Sequence, residues 1–459
     1  MHIRLILAVW ACKLAIFVSR LLGKKGSSMP GRLAFTICPS LLQLLSRQVK
    51  KEILVVCGTN GKSGKATTNN LLAAFIKSAG HTVVCNDLGA NMLWGVCCAF
   101  AEKANLLGKL HADYACIEVD EASAVKVFRY MKPDVMIITN LFRDQLDRYG
   151  EIDLTIDYLR RALELAPDTR LLLNGDDPLV AQFGQNTERT CYYMGVDEDT
   201  GVGLDETKEG RFCVFCGERL DYAYYHYSQL GNYHCPKCGF CRPKLDFRVH
   251  DVSLANGLCF TLDYKDSSTR FDVNYRGFYN IYNIVLSYGA ALVTLGSVPH
   301  YENVLAAYKP QIGRMEEFAV GSGTVILNLA KNPAGFNQAI STVLKDEREK
   351  DLLIAINDNG QDGKDISWIW DVDFERLAIA KVHRLVVTGV RADDLALRLK
   401  HAGFAPSVQT KVYVFYCLKT ALKTAADGDC TVCYALVNYT AVFAAQSILK
   451  ELEANRHGA

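Results

Sequence analysis

Short runs of mostly apolar residues recur along this chain. One series occupies residues 53–57, 114–119, 135–139 and 171–173; a second occupies 325–329, 352–356, 385–387 and 411–415. Runs of this length without alternation predict strands buried on both faces, as in parallel sheets. Between them, stretches such as 154–165 and 392–402 space their apolar residues three and four apart, which predicts crossover helices. The predicted fold class is α/β, with two parallel sheets in series.

Two changes of texture divide the chain. From about residue 207 to 247 Cys, Gly, Tyr and turn residues replace the strand–helix rhythm, which marks an insertion. Near Gly313-Arg314-Met315-Glu316 a new α/β pattern begins and runs to the last residue. The expected organisation is a helical docking segment at 1–50, a central domain at 51–314 interrupted by the insertion, and a C-terminal Rossmann-like α/β domain at 315–459. The apolar run 5–17 is interrupted by Lys13 and flanked by Arg4 and Arg20, so no uncharged stretch long enough to span a bilayer exists there. It reads as an amphipathic docking helix, with a membrane-associating segment as the alternative.

Composition narrows the class. With 459 residues, half of them apolar, the chain can bury more than one core. A formal net charge of +1 excludes a global field that would draw it to nucleic acid or anionic lipid, so any such binding needs a local patch. Seventeen cysteines are scattered through a long chain, many inside apolar runs such as Val96-Cys97-Cys98-Ala99, which predicts reduced, buried thiols and a cytoplasmic protein.

The first chemistry-bearing motif is Gly58-Thr59-Asn60-Gly61-Lys62-Ser63, between a predicted strand and a predicted helix. Backbone N–H groups of such a turn, with the helix N-terminus, can cradle phosphates. Lys62 would offset phosphate charge and Ser63 would offer a hydroxyl to Mg2+. Gly64-Lys65-Ala66 repeats the theme, so Lys65 is a second candidate, with Thr67 supplying the hydroxyl. Glu118 and Glu121, at the end of a predicted strand, are candidate metal carboxylates, because ligands in open α/β sheets bind beyond the carboxyl ends of the strands.

Inside the insertion, Cys213-x-x-Cys216 and Cys235-x-x-Cys238 form two knuckles, each close to a glycine. Four thiolates in this pattern predict a closed structural Zn2+ site, with Cys241 a possible competitor for the fourth place and a redox dithiol the competing reading. Tyrosines between the knuckles read as packing for a small metal-stapled module rather than as a nucleic-acid platform, since local cations are few.

Taken together, GTNGKS, EVDEA, TNLFRDQLDRYGE, NGDDP and GRMEEF occur in the order seen in Mur ligases, and the chain resembles that family along nearly its whole length. The C-terminal NDNGQDGKDISWIWD and KNPAGFN resemble its MurT-type branch. Gln145 stands where an ordinary Mur ligase has His.

The resemblance implies a central ATP-binding domain using Gly58 to Ser63, with Mg2+ on Ser63 and Glu121, or Glu118 as second choice. It places Asp177, Arg314, Asn280 and Asn283 near the nucleotide. It further implies ATP-dependent amidation of the D-glutamate α-carboxylate of lipid II to D-isoglutamine, through an acyl phosphate, by a carbon–nitrogen ligase of peptidoglycan synthesis. Ammonia would come from a GatD-type glutaminase in a heterodimer, because no glutaminase nucleophile is evident here. Asp365 or Asp362 would complete the partner's Cys–His pair. The expected location is the cytoplasm, in peripheral contact with a membrane-borne substrate. Two other classes stay open: an amino-acid ligase of the Mur or folylpolyglutamate type, and a non-catalytic zinc-ribbon protein binding nucleotide or nucleic acid.

Overall fold

The computed structural model describes residues 3–21, 26–59, 64–86, 90–142, 152–201, 210–254, 257–274, 277–308, 314–360, 362–379, 381–404, 411–428 and 430–456. They fall into two compact units, which meet in the chain between Tyr308 and Lys309.

The first unit opens with helices α1 (Ile3–Leu21), α2 (Met29–Ile37) and α3 (Leu41–Ser46). Strands and helices then alternate: β1 (Glu52–Cys57), α4 (Lys65–Ser78), β2 (Val83–Cys85), α5 (Leu93–Lys103), β3 (Tyr114–Glu118), α6 (Glu121–Phe128), β4 (Val135–Ile138), α7 (Ile152–Glu164), β5 (Arg170–Asn174), α8 (Pro178–Ala181) and β6 (Cys191–Val196). The insertion carries a hairpin, β7 (Asp221–Tyr227) and β8 (Leu230–His234). Three antiparallel strands follow, β9 (Phe247–Ser253), β10 (Leu258–Tyr264) and β11 (Ser267–Val273), then α9 (Tyr279–Leu295) and α10 (Tyr301–Ala307).

Among the described residues nine strands form one sheet in the order β11-β10-β9-β6-β5-β4-β1-β3-β2. From β2 to β9 neighbours pair in parallel, and only β9–β10 and β10–β11 are antiparallel. The central strands β1, β3 and β4 are almost wholly buried because helices cover both faces, which is why their sequences read as continuous apolar runs. α7 shows how those helices are written: Ile156, Leu159 and Leu163 line its buried side against α6, while Asp153, Asp157 and Glu164 face outward. α1 to α3 are part of this unit's core, with Leu5, Val9, Cys12, Leu41 and Leu45 buried alongside Val96 and Phe100 of α5.

The second unit contains β12 (Arg314–Val320), β13 (Gly323–Leu329), α11 (Pro333–Lys345), β14 (Lys350–Ala355), β15 (Val382–Thr388), α12 (Ala392–His401), β16 (Lys411–Val414), α13 (Leu418–Ala426), β17 (Val432–Val437) and α14 (Tyr439–Arg456). Its sheet runs β12-β13-β17-β14-β15-β16, parallel except for the β12–β13 hairpin. Two apolar layers sandwich it, one built around Phe336, Leu352, Phe374 and Leu395, the other around Leu327, Leu353, Leu422 and Leu449. The expected α/β class with parallel-rich sheets is what the chain folds into.

Candidate functional site

The carboxyl ends of β1, β3, β4 and β5 meet where the first glycine turn begins. Thr59 is fastened there twice: its N–H donates to the Asn140 carbonyl at 3.0 Å, and its hydroxyl accepts from the Phe142 N–H at 2.9 Å. Of the candidate phosphate residues, Gly58 and Thr59 are at the strand end. Asn60, Gly61, Lys62 and Ser63 lie outside the described residues.

The turn re-enters at Gly64, which caps α4 at φ +81°, and a Cβ there would stand 1.6 Å from Asn283 Oδ1. Glycine is required on both counts, conformation and room. Asn283 Nδ2 in turn donates to Asn280 Oδ1 at 3.0 Å. Both asparagines of α9 are therefore brought against the start of α4.

Lys65 opens α4 and is buried, its ammonium donating to Glu121 Oε2 at 2.8 Å. Side-chain exposures of 4% and 1% make this an ion pair removed from water. Burial by itself would depress Lys65, but the charges of Glu121, Asp120 and Glu118 outweigh it and hold the amine above its ordinary value. Glu118 sits at the end of β3 and accepts through one oxygen from Asn91 at 2.9 Å. Asp120 caps α6 by accepting from the Ala122 N–H. Hard oxygen donors gathered beside the candidate phosphate turn suit Mg2+. Of the two candidates, Glu121 accepts from the Lys65 ammonium and Glu118 from the neutral Asn91 amide, each through one oxygen.

The Asn-Gly-Asp-Asp-Pro turn after β5 is a hub. Asn174 Nδ2 donates to Asn140 Oδ1 at 2.6 Å. Asp177 is fully buried, and its carboxylate accepts from the N–H groups of Leu141 and Leu179 and from Gln229 Nε2. Burial pushes that carboxyl up to about 7. Asp177 thus caps α8 and braces the segment after β4. Asp176, equally buried, accepts from Tyr282 and the Val196 N–H, both at 2.8 Å, and from Arg242 at 3.3 Å. Sequence reasoning missed Asp176, Gln229, Tyr282 and Arg242; the doubled acid in NGDDP was the available signal, since two adjacent buried carboxylates require partners.

In the insertion the sulfurs of Cys213, Cys216, Cys235 and Cys238 all lie within 4.8 Å of one another. Cys213 to Cys238 is 3.4 Å and Cys216 to Cys235 is 3.5 Å. A tetrahedron with arms of about 2.3 Å has sulfur–sulfur edges near ~3.8 Å, so the cluster needs little adjustment to take Zn2+. Each knuckle turns on a left-handed glycine, Gly217 at φ +71° and Gly239 at φ +78°. Burial opposes ionisation of Cys235, yet the N–H groups of Cys238 and Lys237 aimed at its sulfur bring it down to about 6. Cys241 is exposed and outside the cluster. Among the described residues another possible ligand group is Asp351, His383 and Cys430, near the amino ends of β14, β15 and β17, where Arg384 already pairs with Asp351 at 2.8 Å.

In the second unit two sequence motifs clasp each other across neighbouring strands. After β14, Asn357 and Asn359 donate to the Thr440 hydroxyl at 3.1 and 3.0 Å. Asn438, after β17, donates to the Asn357 carbonyl at 2.7 Å. Asp362 is buried and receives both the N–H and the hydroxyl of Thr440 at the start of α14. Asp365 is half-buried and accepts from the Ser367 N–H at 2.8 Å. Asn337 and Asp373 exchange bonds of 3.2 and 2.9 Å. The backbone of Arg314 opens β12; its side chain is outside the described part, as is Gln145.

Comparison with known proteins gives the following. A model of the Mur ligase middle domain matches residues 56–291, and a model of the MurT ligase C-terminal region matches 329–442. The chain is 35% identical over 436 residues to a Staphylococcus aureus protein named lipid II isoglutaminyl synthase (glutamine-hydrolyzing) subunit MurT, covering 95% of each chain. It is 33% identical over 454 residues to the Streptococcus pneumoniae protein of that name, covering 98% of each. In fold it is similar to a pseudomurein peptide ligase type C from Methanothermus fervidus, at TM-score 0.70 and 21% identity over 89% of this chain and 80% of the other. It is likewise similar to the MurF ligase from Thermotoga maritima in complex with ADP, at TM-score 0.63 and 13% identity over 92% and 85%.

Proposed function

We propose, from the premise that this chain belongs to the MurT family of Mur ligases, that it is the ATP-consuming ligase subunit which activates the D-glutamate α-carboxylate of lipid II for amidation to D-isoglutamine. The observation that carries the reading is the reach of the likeness: 33–35% identity to MurT subunits over 95–98% of the chain, spanning both units. The relatives' name includes glutamine hydrolysis, which supports a glutaminase partner of the GatD type that supplies ammonia.

A carboxylate and ammonia do not condense unaided at neutral pH, so the carboxylate oxygen must first become a leaving group. Transfer of the terminal phosphoryl group of ATP to that oxygen gives an acyl phosphate and ADP; ammonia then adds to the carbonyl carbon and phosphate leaves. The turn from Gly58 to Ser63 is suited to hold the phosphates, with the N-terminus of α4 favouring their negative charge. Lys62 is the better phosphate lysine, because Lys65 is committed to Glu121. Ser63 and Glu118 would hold Mg2+, with Glu121 paired to Lys65. When bound, the metal offsets charge on the transferred phosphoryl group. Asn280, Asn283, Arg314 and Asp177 are the remaining residues assigned to the nucleotide region, Asp177 as a brace and not as a contact. The four ribbon cysteines would hold a structural Zn2+.

Asp365, half-buried in its loop, is the better candidate to orient the partner's imidazole, because Asp362 is buried and spent on Thr440. The decisive experiment incubates the chain and its co-purified partner with ATP, glutamine and a D-glutamate-containing lipid-linked muropeptide. The expected product, read by mass spectrometry, has one carboxyl hydroxyl replaced by an amino group. An unchanged muropeptide from a folded, nucleotide-binding complex overturns the reading, and ADP release driven by a free amino acid favours the amino-acid ligase instead.

A further inference from the structure

α1 is apolar on two opposite sides, and among the described residues only one of them is buried. Its inner side, with Leu5, Val9, Cys12 and Ile16, is buried against the first unit's core. Its outer side carries Ile3, Leu7, Trp10, Leu14, Phe17 and Leu21, spaced three and four apart along the whole helix. These are 50–74% exposed. A stripe this long is not the scatter of single apolar residues common on protein surfaces. It continues onto the neighbouring loop, where Leu106 and Leu107 are 59% and 54% exposed and the Trp10 indole donates to the Leu106 carbonyl at 2.7 Å.

Charge identifies the occupant. The first 51 residues contain nine Lys and Arg and no Asp or Glu, whereas the net charge of the whole chain is +1, so the other 408 residues carry minus eight against this plus nine. On the helical wheel Arg4 falls on one side of the stripe and Lys13 and Arg20 on the other. Lys13 and Arg20 are both anchored on Glu102, by bonds of 2.6 and 2.7 Å. Among the described residues no helix is long and apolar enough to cross a membrane.

An apolar stripe with a tryptophan, basic flanks and too little length to span is what lies flat in the interface of an anionic bilayer, the side chains among the acyl chains and the cations at the headgroups. We infer that α1, with the Leu106–Leu107 loop, is a membrane-surface docking element for anionic phospholipid, holding the first unit at the bilayer. This deepens the reading of a lipid-linked substrate and rests on it for its purpose, though not for its test.

The test uses the full chain with its partner and vesicles without lipid II, made either of phosphatidylglycerol mixed with phosphatidylcholine or of phosphatidylcholine alone. Co-sedimentation is expected with the anionic vesicles, with a blue shift of Trp10 emission that Trp10→Phe abolishes. Removing the Arg4 charge should weaken binding about fivefold, and added salt should do likewise. Leu14→Asp with Phe17→Asp, both on the exposed side, should abolish sedimentation while leaving the thermal transition in place. In detergent-solubilised lipid II the same double variant should amidate at the wild-type rate, and on vesicle-embedded lipid II at least tenfold more slowly. Failure of the wild-type protein to sediment with either vesicle overturns the inference. So does stripe-dependent self-association, or loss of the partner from the double variant with vesicle binding intact. Absence of amidation by the wild type in detergent would instead overturn the functional reading and leave the vesicle result standing.

Discussion

The buried pair Lys65–Glu121 allows a prediction with a built-in sign. Lys65→Met keeps the apolar stem and removes the ammonium, leaving Glu121 buried without a cation. The carboxyl then escapes by taking up a proton, so its folded-state value rises above the ordinary 4.5 and stability is lost as pH climbs past that value. The cost cannot exceed that of protonation, about 4 kcal/mol at pH ~7.5 and only ~1–2 kcal/mol at pH ~5.5. Glu121→Gln does the reverse. Lys65 keeps its charge in a site with less to balance it, its folded-state value falls below the ordinary 10.5, and the deficit shrinks as pH rises. Its ceiling is again about 4 kcal/mol at pH ~7.5, and the remaining Asp120 and Glu118 charges hold the actual loss below that. Urea unfolding of the zinc-replete protein at pH ~5.5, ~7.5 and ~9 should show the two variants exchanging rank between the extremes. The double variant should lie within about 2 kcal/mol of wild type. Equal, pH-independent losses in both single variants, or losses below ~1 kcal/mol, would refute the claim that these two groups are a desolvated pair.

Asp177 behaves oppositely to a surface carboxylate: with a folded-state value near 7 against an ordinary 3.8, its contribution is complete at low pH and is lost as pH rises through neutrality. Asp177→Asn should therefore sit about 1–2 kcal/mol below wild type at pH ~5, for a lost acceptor, and close that gap by pH ~8; a gap that widens with pH rejects the assignment. If the four-cysteine cluster holds zinc as proposed, Cys235→Ser should abolish zinc binding and lower stability by several kcal/mol, while Cys241→Ser leaves zinc binding intact, both read by zinc stoichiometry and thermal unfolding. Asp365→Asn should abolish glutamine-driven amidation and spare ammonia-driven amidation in the complex. Asp362→Asn should instead lower the melting temperature and impair both reactions together, so equal loss of both in Asp365→Asn removes it from the partner's triad.

What the sequence made legible follows from how each element is stabilised. The strands 53–57, 114–119, 325–329 and 352–356 could be read because burial on both faces leaves few polar positions in them, Glu118 and Asn328 being the exceptions. The ribbon could be read because four thiolates with two glycine turns have few other uses. By contrast β9 to β11 carry alternating exposed and buried residues on a flank of the sheet, and Phe247, Phe260 and Phe271 are spread among charges, so no run announced them. The Lys65–Glu121 pair joins residues 56 positions apart, and composition cannot say that Lys65 turns inward. That is decided by where α4 begins, and α4 begins at Lys65 because Gly64 must pass under Asn283.

The same logic gives the insertion a purpose beyond its four-cysteine cluster. A four-cysteine module is too small to build a large core, and this one is centred on Cys213, Leu220, Tyr233, Cys235 and Phe240. Yet its polar groups reach out of it: Arg242 to Asp176, Gln229 to Asp177 and the Leu141 carbonyl, and the Tyr233 hydroxyl to the Gly175 carbonyl. Those partners are the turn after β5 and the segment after β4, and Asn140, next to Leu141, accepts from Thr59 at the start of the candidate phosphate turn. Both carboxylates are fully buried, and a buried carboxylate stripped of its partner costs more than the bond gained by making it. The ribbon is therefore coupled to the geometry of the strand ends through Asp176 and Asp177, and the doubled acid in that turn is where the coupling is made.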